Sequence, residues 1–144
     1  DVPAWCRCFD LLQVNEDEMA LMAPDPMALA ATAMASGVSL LCVTLGRQGA
    51  VYFAAPGFES IGDVRPSVLP RAAALAPVRT ARIPAEQARI DGPGDPTGCG
   101  DVWGATFFSR LLGGDNFIAA IQAAHRAAAR NVEHRGATGL ASYL

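Results

Sequence analysis

The segment from residue 95 to residue 101 reads DPTGCGD and leads directly into a helix predicted from about residue 102 to residue 112. Two glycines in front of a helix expose consecutive backbone N–H groups, and no side chain at these positions blocks the approach of an anion. The amides of Gly98, Cys99 and Gly100 therefore form a candidate anion hole. Such a hole suits the negative charge that develops on a phosphoryl group during transfer.

Asp101 is the first residue after this candidate anion hole. A carboxylate at that position can accept a proton from a hydroxyl group that attacks the phosphoryl group. Aspartate is also favoured at helix starts for purely structural reasons, so the residue by itself leaves both interpretations open.

Upstream of this segment, short apolar runs alternate with helical patterns. Strands are predicted at residues 8–14, 39–45 and 50–54, and a glycine connection joins the last two as a hairpin. Helical turns are predicted at residues 16–22. A longer helix is expected to begin with Asp25 as its N-cap and Pro26 as its first residue, and to end at Gly37.

Downstream of the hairpin the pattern changes. Residues 56–84 contain five prolines and predict a long irregular insert, followed by a short strand near residues 89–91. Asp115 and Asn116 are expected to cap a last helix. Its apolar positions recur at helical spacing and are Ile118, Ile121, Ala124 and Ala128.

Strands that alternate with helices predict an α/β layered domain, and the 144 residues are treated as one such unit, 1–144. A chain of this length can bury a core without a disulfide or metal to stabilise it. In such folds ligands bind at the carboxyl ends of the strands. Two of the polar motifs are expected there, namely residues 15–18 and residues 98–101.

Residues 15–18, NEDE, follow the first predicted strand and supply three carboxylates and an amide. This donor set suits a hydrated Mg²⁺, which prefers oxygen ligands. Taken by itself, the pattern is better explained by an acidic first helical turn exposed to solvent, because acidic first turns are common. In the hairpin, Thr44 precedes Gly46 and Gly49, which allow the backbone to turn sharply and to approach a ligand closely.

The composition excludes several classes of protein. The chain contains no lysine, which the P-loop nucleotide-binding motif requires. Its net charge of -3 argues against nucleic acid as a partner. Residues 27–46 carry no charge, but serine and glycine interrupt this run, so we predict a helix, a turn and a strand rather than a membrane span.

The four cysteines do not resemble a secreted disulfide framework, and the first residues do not resemble a targeting peptide. A cytoplasmic location is therefore expected. A zinc site can be imagined from two cysteines and both histidines, but the spacing matches no common structural zinc motif. These four residues are Cys6, Cys8, His125 and His134.

Taken in order, the motifs resemble those of the ribokinase-like carbohydrate kinases of the PfkB family. Residues 95–101 are similar to the family signature D-T-x-G-A-G-D, residues 15–18 to N-x-x-E, and residues 43–50 to its T-L-G-x-x-G segment. Residues 125–137 resemble an alanine-rich helix on the nucleotide side, followed by a basic residue and Gly-Ala. The resemblance covers residues 8–137.

The resemblance implies roles for individual residues in phosphoryl transfer. Asp101 would be the catalytic base that activates a sugar or nucleoside hydroxyl, with Gly98, Cys99 and Gly100 as its anion hole. ATP would be the phosphoryl donor and Mg²⁺ the metal ion. Asn15 and Glu18 would hold that Mg²⁺, largely through water.

The remaining implied roles concern the nucleotide and a second cation. Thr44, Gly46 and Gly49 would line the phosphate and ribose side of the nucleotide. His125 stands where many members have an asparagine near adenine. Two further residues lie where some members hold a monovalent cation such as K⁺, namely Asp95 and Thr97.

The sequence also departs from the family pattern. Pro96, Cys99 and Trp103 replace more usual residues, and the stretch 56–84 is longer than is typical. The family's first half, with its substrate-binding residues and lid, has no counterpart here. The resemblance therefore implies a three-layer αβα ribokinase-like core of which this chain is the C-terminal half.

The main hypothesis is an ATP-dependent sugar or nucleoside kinase to which this chain contributes the ATP site, the anion hole and the catalytic base. One alternative is an inactive nucleotide-binding or interaction module without a substrate half, whose exposed apolar surface a partner or a second copy in a homodimer would cover. A third is an α/β domain in which the acidic turn and the glycine loop are only structural.

Overall fold

The computed structural model describes residues 1–64, 77–90 and 94–133. Five helices and four strands are found in these residues. In chain order they are α1 (Val2–Cys6), β1 (Leu11–Asn15), α2 (Glu16–Ala20), α3 (Pro26–Ser36), β2 (Leu40–Thr44), β3 (Ala50–Ala54), β4 (Arg79–Ile83), α4 (Cys99–Leu112) and α5 (Phe117–Glu133). Short 3₁₀ turns lie at Gly46–Gln48 and Ile61–Asp63.

The four strands form one mixed sheet in the order β1-β2-β3-β4. β1 runs parallel to β2, and β3 is antiparallel to both β2 and β4. The register pairs Asn15 with Thr44, Thr44 with Ala50 and Ala50 with Ile83. One edge of the sheet therefore carries the carboxyl ends of β1, β2 and β4 in a row, and we call it the carboxyl edge.

Helices cover both faces of the sheet, and each face has its own apolar cluster. On one face, α4 and α5 pack against residues such as Leu40 and Cys42 through Phe107 and Phe117. On the other, α1, α2 and α3 pack against residues such as Leu41 and Val43. Because β2 is buried on both faces, every residue from 40 to 43 is apolar. The layered α/β architecture predicted from the alternation is confirmed.

Of the helix caps that the sequence predicts, Asp25, Gly37 and Asn116 are confirmed, whereas Asp115 forms an ion pair with Arg110. Asp25 accepts a hydrogen bond from the Ala28 amide at 2.9 Å, and Gly37 ends α3 with φ 106. Asn116 accepts a hydrogen bond from the Ala119 amide at 2.9 Å in the first turn of α5. Each cap satisfies or replaces a backbone bond that a helix end lacks.

The insert predicted at 56–84 was wrong at its end, because Arg79–Ile83 form β4. This strand has polar residues and mostly exposed positions, so it shows no apolar alternation. Contacts of Arg79 hold this strand in place. The Arg79 guanidinium forms an ion pair with Glu59 at 2.7 Å and donates a hydrogen bond to the Phe58 carbonyl. It also lies 5.4 Å from the centre of the Phe117 ring. These contacts join residues that are far apart in the sequence, so the local sequence pattern does not predict the strand.

Other predictions also differ from the structure. Residues 89 and 90 are not in a strand, and residue 91 lies outside the described residues. β1 begins at Leu11 rather than at residue 8, because the amides of Cys8 and Phe9 donate back to the end of α1, which packs against α3. α4 begins at Cys99, three residues earlier than expected, so Asp101 lies inside its first turn.

Candidate functional site

The start of α4 lies at the carboxyl edge of the sheet. His125 of α5 lies beside Ile83, the last residue of β4, and Trp103 donates a hydrogen bond to the His125 ring at 3.1 Å. Cys99 is one helical turn before Trp103. The far end of the helix pair lies at the opposite edge, where the Phe117 amide donates to the Glu59 carbonyl. The glycine-rich segment therefore lies beyond the strands that end at the carboxyl edge.

A tight turn leads into α4. The Cys99 amide donates to the Pro96 carbonyl at 3.1 Å, and Gly98 has φ 76 and ψ 0. None of the described residues other than glycine has a positive φ. These angles define a type II turn, in which the third residue must tolerate a left-handed conformation. Glycine adopts this conformation at position 98 without the steric cost that a side chain adds.

The first amides of α4 are open. Gly98 is the N-cap and has no side chain to accept from them, and the first bond within the helix joins the Val102 amide to the Gly98 carbonyl. Within the described part of the chain, the amides of Gly98, Gly100 and Asp101 have no hydrogen-bond partner. A Cβ at Gly100 would meet nothing within 4 Å. An anion therefore has both donors and space at this helix start.

The Cys99 amide differs from its neighbours because the turn uses it. It donates to Pro96, so in this conformation it is not available to an anion. The Cys99 sulfur lies 3.6 Å from the Ala128 carbonyl of α5. The Asp101 side chain is exposed in the first helical turn, beside the open amides.

Asn131 of α5 holds this turn in place through two hydrogen bonds. Its side chain is fully buried and donates to the Thr97 carbonyl at 2.9 Å and to the Cys99 sulfur at 3.3 Å. Sequence reasoning missed this residue. The available signal was its position: Asn131 is seven residues after Ala124, on the apolar stripe of α5, where a polar side chain is out of place.

Two further contacts support the glycine-rich segment. Asp95 accepts a hydrogen bond from the Thr97 amide at 2.9 Å, which is an Asx turn. At Gly94, a Cβ would lie 2.2 Å from the Val132 side chain and 2.7 Å from the Val132 carbonyl, so only glycine lets the chain approach α5 so closely. The predicted role of Asp95 and Thr97 in holding a monovalent cation stays a prediction.

The predicted magnesium motif forms the start of α2. The Asn15 side chain accepts from the Glu18 amide and the Glu18 carboxylate accepts from the Asn15 amide, both at 2.8 Å. This reciprocal pair is a capping box, and it explains the three-residue spacing structurally. In the Glu18 carboxylate, Oε2 accepts the bond from the Asn15 amide, and Oε1 takes no part in the capping box. Metal binding by Asn15 and Glu18 stays a prediction.

The β2–β3 connection lies at the same edge. The Thr44 hydroxyl donates to the Val14 carbonyl of β1 at 3.4 Å, so this side chain stays close to the magnesium motif. Gly46 has φ 53 and open space around its Cβ position. Gly49 is different, because a Cβ there would lie 2.0 Å from the Ile83 carbonyl. At Gly49 it is therefore the backbone at the end of β4 that approaches closely.

His125 is buried between α4 and the end of β4. Its Nδ1 accepts from the Trp103 indole, so the ring proton of the neutral form is on Nε2. Burial lowers the pKa of His125, and the Ile83 carbonyl and the Glu86 charge oppose that shift only in part. The ring is 6% exposed, so the imidazole is a neutral core group beneath the open helix start. Its predicted place near adenine stays a prediction.

Among the described residues weighed for a zinc site, Cys6 and His125 are not brought together. Cys6 belongs to the apolar cluster of α1, α2 and α3, whereas His125 packs with Trp103 on the opposite face of the sheet. His134 lies outside the described residues. Across residues 1–64, 77–90 and 94–133 the structure has no group of three or more His, Cys, Asp or Glu side chains that could hold a metal ion.

Comparison with known proteins identifies the family. A family model described as pfkB family carbohydrate kinase matches residues 1–142. The chain belongs to the PfkB family of carbohydrate kinases. Among curated proteins, none matches the sequence. Among the described residues of this PfkB chain, no helix is long and apolar enough to span a membrane.

Solved structures show the same fold. A Thermotoga maritima ribokinase matches with TM-score 0.69 and 21% identity, over 96% of this chain and 40% of its own. A Burkholderia thailandensis nucleoside kinase in complex with inosine matches with TM-score 0.69 and 22% identity, over 97% and 38%. An E. coli protein assigned as a ribokinase II, in complex with ATP and Mg²⁺, matches with TM-score 0.68 and 23% identity, over 94% and 36%.

These matches confirm the predicted ribokinase-like core. They also show that this PfkB chain spans 40% or less of the length of those three structures, so it accounts for part of the fold. The prediction that this part is the C-terminal half, and the prediction that a second copy covers an exposed surface, stay predictions. Residues 134–137 of the predicted nucleotide-side motif lie outside the described residues.

Proposed function

We propose that this chain provides the ATP site, the anion hole and the catalytic base of a kinase that transfers the γ-phosphoryl group of ATP to a hydroxyl of a sugar or nucleoside. The observation that carries the proposal is the open start of α4. It has free amides, no capping side chain and an exposed carboxylate, all at the carboxyl edge of an α/β sheet.

Family membership supports the reaction class. The chain belongs to the PfkB carbohydrate kinase family, and structures of the same fold include a complex with ATP and Mg²⁺ and a complex with inosine. Those ligands belong to those proteins. For this chain they favour a nucleotide donor and a hydroxylated small-molecule acceptor.

The anion hole in this proposal consists of the amides of Gly98, Gly100 and Asp101. This set replaces the Cys99 amide of the sequence prediction with that of Asp101, because the turn already uses the Cys99 amide. The partial positive charge of the α4 N-terminus adds to the attraction for phosphate oxygens. Charge that develops on the transferring group is thereby stabilised without rearrangement of the chain.

Asp101 acts as the general base in this proposal. Its carboxylate is exposed in the same helical turn as the open amides, so a hydroxyl that attacks a phosphoryl group held there can lie within its reach. The carboxylate accepts the hydroxyl proton as the new oxygen–phosphorus bond forms. The other residues position the donor and offset its charge.

Mg²⁺ would bind beside the start of α2. Carboxylate and amide oxygens suit this ion, and the Glu18 carboxylate retains an oxygen outside its bond to the Asn15 amide. A water-mediated contact fits this arrangement, since the capping box already fixes both side chains. When bound, Mg²⁺ supplies positive charge that offsets the phosphates. Thr44 and Gly46 would face the nucleotide from the neighbouring connection.

Replacement of the proposed base tests the reaction. In the natural protein at its full length, we expect Asp101→Asn to lower kcat by about 10²–10⁴-fold, the usual contribution of a general base. The measurement is ATP-dependent phosphorylation of ribose, fructose and inosine. Asp10→Asn is the matched control, since Asp10 is exposed just before β1, at the opposite edge of the sheet. Equal turnover in wild type and Asp101→Asn would contradict the assignment.

A pair of glycine variants tests the anion hole separately. Gly100→Ala adds a methyl group where the protein leaves space, so we expect it to raise helix stability by about 0.5–1 kcal/mol while weakening binding of a non-hydrolysable ATP analogue by about tenfold. Calorimetric titration and denaturant unfolding give the two quantities.

The second variant of the pair is the control, Gly104→Ala, in the middle of the same helix. Its methyl group would meet only the Gln13 side chain, at 3.2 Å, which can move. We expect wild-type affinity for the ATP analogue. If Gly100→Ala binds the analogue as tightly as Gly104→Ala, the phosphates do not bind at this helix start.

A further inference from the structure

A buried amide side chain connects α5 to the turn before α4. Asn131 is fully buried and its Nδ2 donates to the Thr97 carbonyl at 2.9 Å and to the Cys99 sulfur at 3.3 Å. Its Oδ1 is also buried, and within the described residues it has no hydrogen-bond partner. A buried oxygen without a partner destabilises a protein, and an apolar side chain would avoid that cost. The two donated bonds are therefore what distinguishes this side chain from an apolar one.

The bond to Thr97 controls the direction of a neighbouring amide. The Thr97 carbonyl and the Gly98 N–H belong to one planar trans peptide group, and they point in opposite directions. Asn131 holds the carbonyl towards α5, so the Gly98 N–H points away from α5. This peptide is also the one that rotates when a turn changes between type I and type II. Gly98 has the type II angles, φ 76 and ψ 0.

The bond to Cys99 extends the same connection. The Cys99 sulfur accepts from Asn131 and lies 3.6 Å from the Ala128 carbonyl, to which its S–H can donate. The thiol thus lies between two groups of α5, one a donor and one an acceptor. Residues 97 and 99 are held on either side of Gly98 by one side chain from another helix.

We propose that Asn131 is a positioning residue, which acts through the Thr97–Gly98 peptide to aim the Gly98 amide into the anion hole. The inference rests on the proposed function for its effect on ATP, but its structural part does not. Cys99 is the second attachment point of the same side chain. Loss of the Asn131 amide allows the peptide to rotate and turns the Gly98 N–H away from the bound phosphate.

The first test is structural and needs no ligand. A crystal structure of the natural full-length protein carrying Asn131→Ala is expected to show the Thr97–Gly98 peptide rotated, with Gly98 at negative φ. Retention of φ near 76 at Gly98 in this variant would overturn the proposal, whatever the protein binds.

The second test measures affinity for adenylyl imidodiphosphate with Mg²⁺ by calorimetry. We expect Asn131→Ala to raise its Kd by about tenfold, as for loss of one hydrogen bond to a charged group. Asn131→Asp, which is nearly isosteric but cannot donate, is expected to weaken binding at least as much. Cys99→Ala removes the second attachment alone and is expected to raise Kd by about threefold or less, since the Thr97 bond remains.

The control is Ile121→Ala, which removes a fully buried side chain of α5 far from the turn. It lowers the melting temperature through a core cavity, and we expect its Kd to stay within twofold of wild type. If Asn131→Ala changes only the melting temperature, as this control does, Asn131 is structural and the proposal fails. If the wild-type protein does not bind the analogue, the proposed function fails, and the crystal structure still decides the positioning role.

Discussion

Two helices begin at the carboxyl edge of the sheet, and their starts are built in opposite ways. α2 begins with a closed start, in which Asn15 and Glu18 exchange hydrogen bonds with each other's amides at 2.8 Å. α4 begins with an open start, in which Gly98 has no side chain and, within the described residues, the amides of Gly98, Gly100 and Asp101 have no partner. A helix start that satisfies itself has fewer donors for a ligand, whereas an open one requires a ligand or water to complete it.

The difference extends to what holds each start in place. The closed start is stabilised by residues three positions apart, so it is local. The open start depends on the far helix α5, through Asn131 and through the close packing of Gly94 on Val132. An open helix start therefore needs tertiary support that a capped one does not, and this support is what makes free amides compatible with a stable fold.

The largest expected effect comes from closing the open start. Gly98→Asp places a carboxylate where the phosphates are expected, and aspartate tolerates the left-handed conformation better than most residues. Like charges placed together cost several kcal/mol, so we expect affinity for the ATP analogue to fall by about 100-fold or more. Calorimetric titration measures it.

Gly98→Asn is the matched control for this change. It has the same size and the same tolerance of a positive φ, but no charge. We expect it to retain clearly more affinity than Gly98→Asp. Equal losses in both variants would mean that crowding rather than charge limits binding, and the two starts would then not differ in their preference for anions.

A smaller effect is expected from removing charge at the closed start while keeping its geometry. Glutamine serves in capping boxes as well as glutamate does, so Glu18→Gln should keep the bond to the Asn15 amide and leave stability nearly unchanged. We expect the Mg²⁺ concentration for half-maximal turnover to rise about tenfold, as for changes around a metal-bound water. A Mg²⁺ titration of kinase activity measures it.

Asp63→Asn provides the comparison for Glu18→Gln. Asp63 forms a second capping box with Ser60, in a segment that follows β3 at the opposite edge of the sheet. Backbone bonds from Ser60 and Glu59 lower the pKa of Asp63, so its carboxylate is charged at neutral pH. This variant should leave the Mg²⁺ requirement unchanged. A similar rise in both variants would remove Glu18 from the metal site.

The smallest expected effect is on how the free energy of unfolding depends on pH. It concerns His125, which is buried beneath the open start of α4. Burial lowers the pKa of His125 below its usual 6.5. Above pH 6.5 the ring is neutral in both the folded and unfolded states, and its contribution to stability is complete. As the pH falls below 6.5, the unfolded chain binds a proton that the folded state resists, so stability falls until the pH passes the folded pKa.

We therefore expect the free energy of unfolding to drop more in wild type than in His125→Gln between pH 7.5 and pH 5.5. Urea unfolding at both pH values gives the difference, and His134 is present in both proteins and cancels. An identical drop in the two proteins would show that His125 binds a proton equally well folded and unfolded.

Much of the candidate site could be predicted from sequence, and the reason is local chemistry. The glycine turn, the spacing of Asn15 and Glu18 and the hairpin at 46–49 all depend on residues within a few positions of one another. β3 was predicted with the boundaries it has, Ala50–Ala54. What could not be predicted was which amide of the turn is free, because that depends on the turn type.

β4 and Asn131 show why the rest could not be predicted. β4 is a polar strand held by Arg79 on residues 58 and 59, about twenty positions away, so periodicity does not reveal it. Asn131 contacts Thr97, which is 34 positions distant. Its place on the apolar stripe of α5 indicated that the residue is unusual, but not which carbonyl it binds.

The sequence by itself determined the local elements: the helix caps, the glycine turn that leaves amides uncovered, and the family whose motifs these residues match. Only the tertiary structure decided how they meet. It brought β4 to the sheet, placed a neutral histidine under the open start and set Asn131 against the Thr97 carbonyl. Caps and turns follow from backbone groups a few residues apart, whereas these contacts exist only once α5 packs on the sheet.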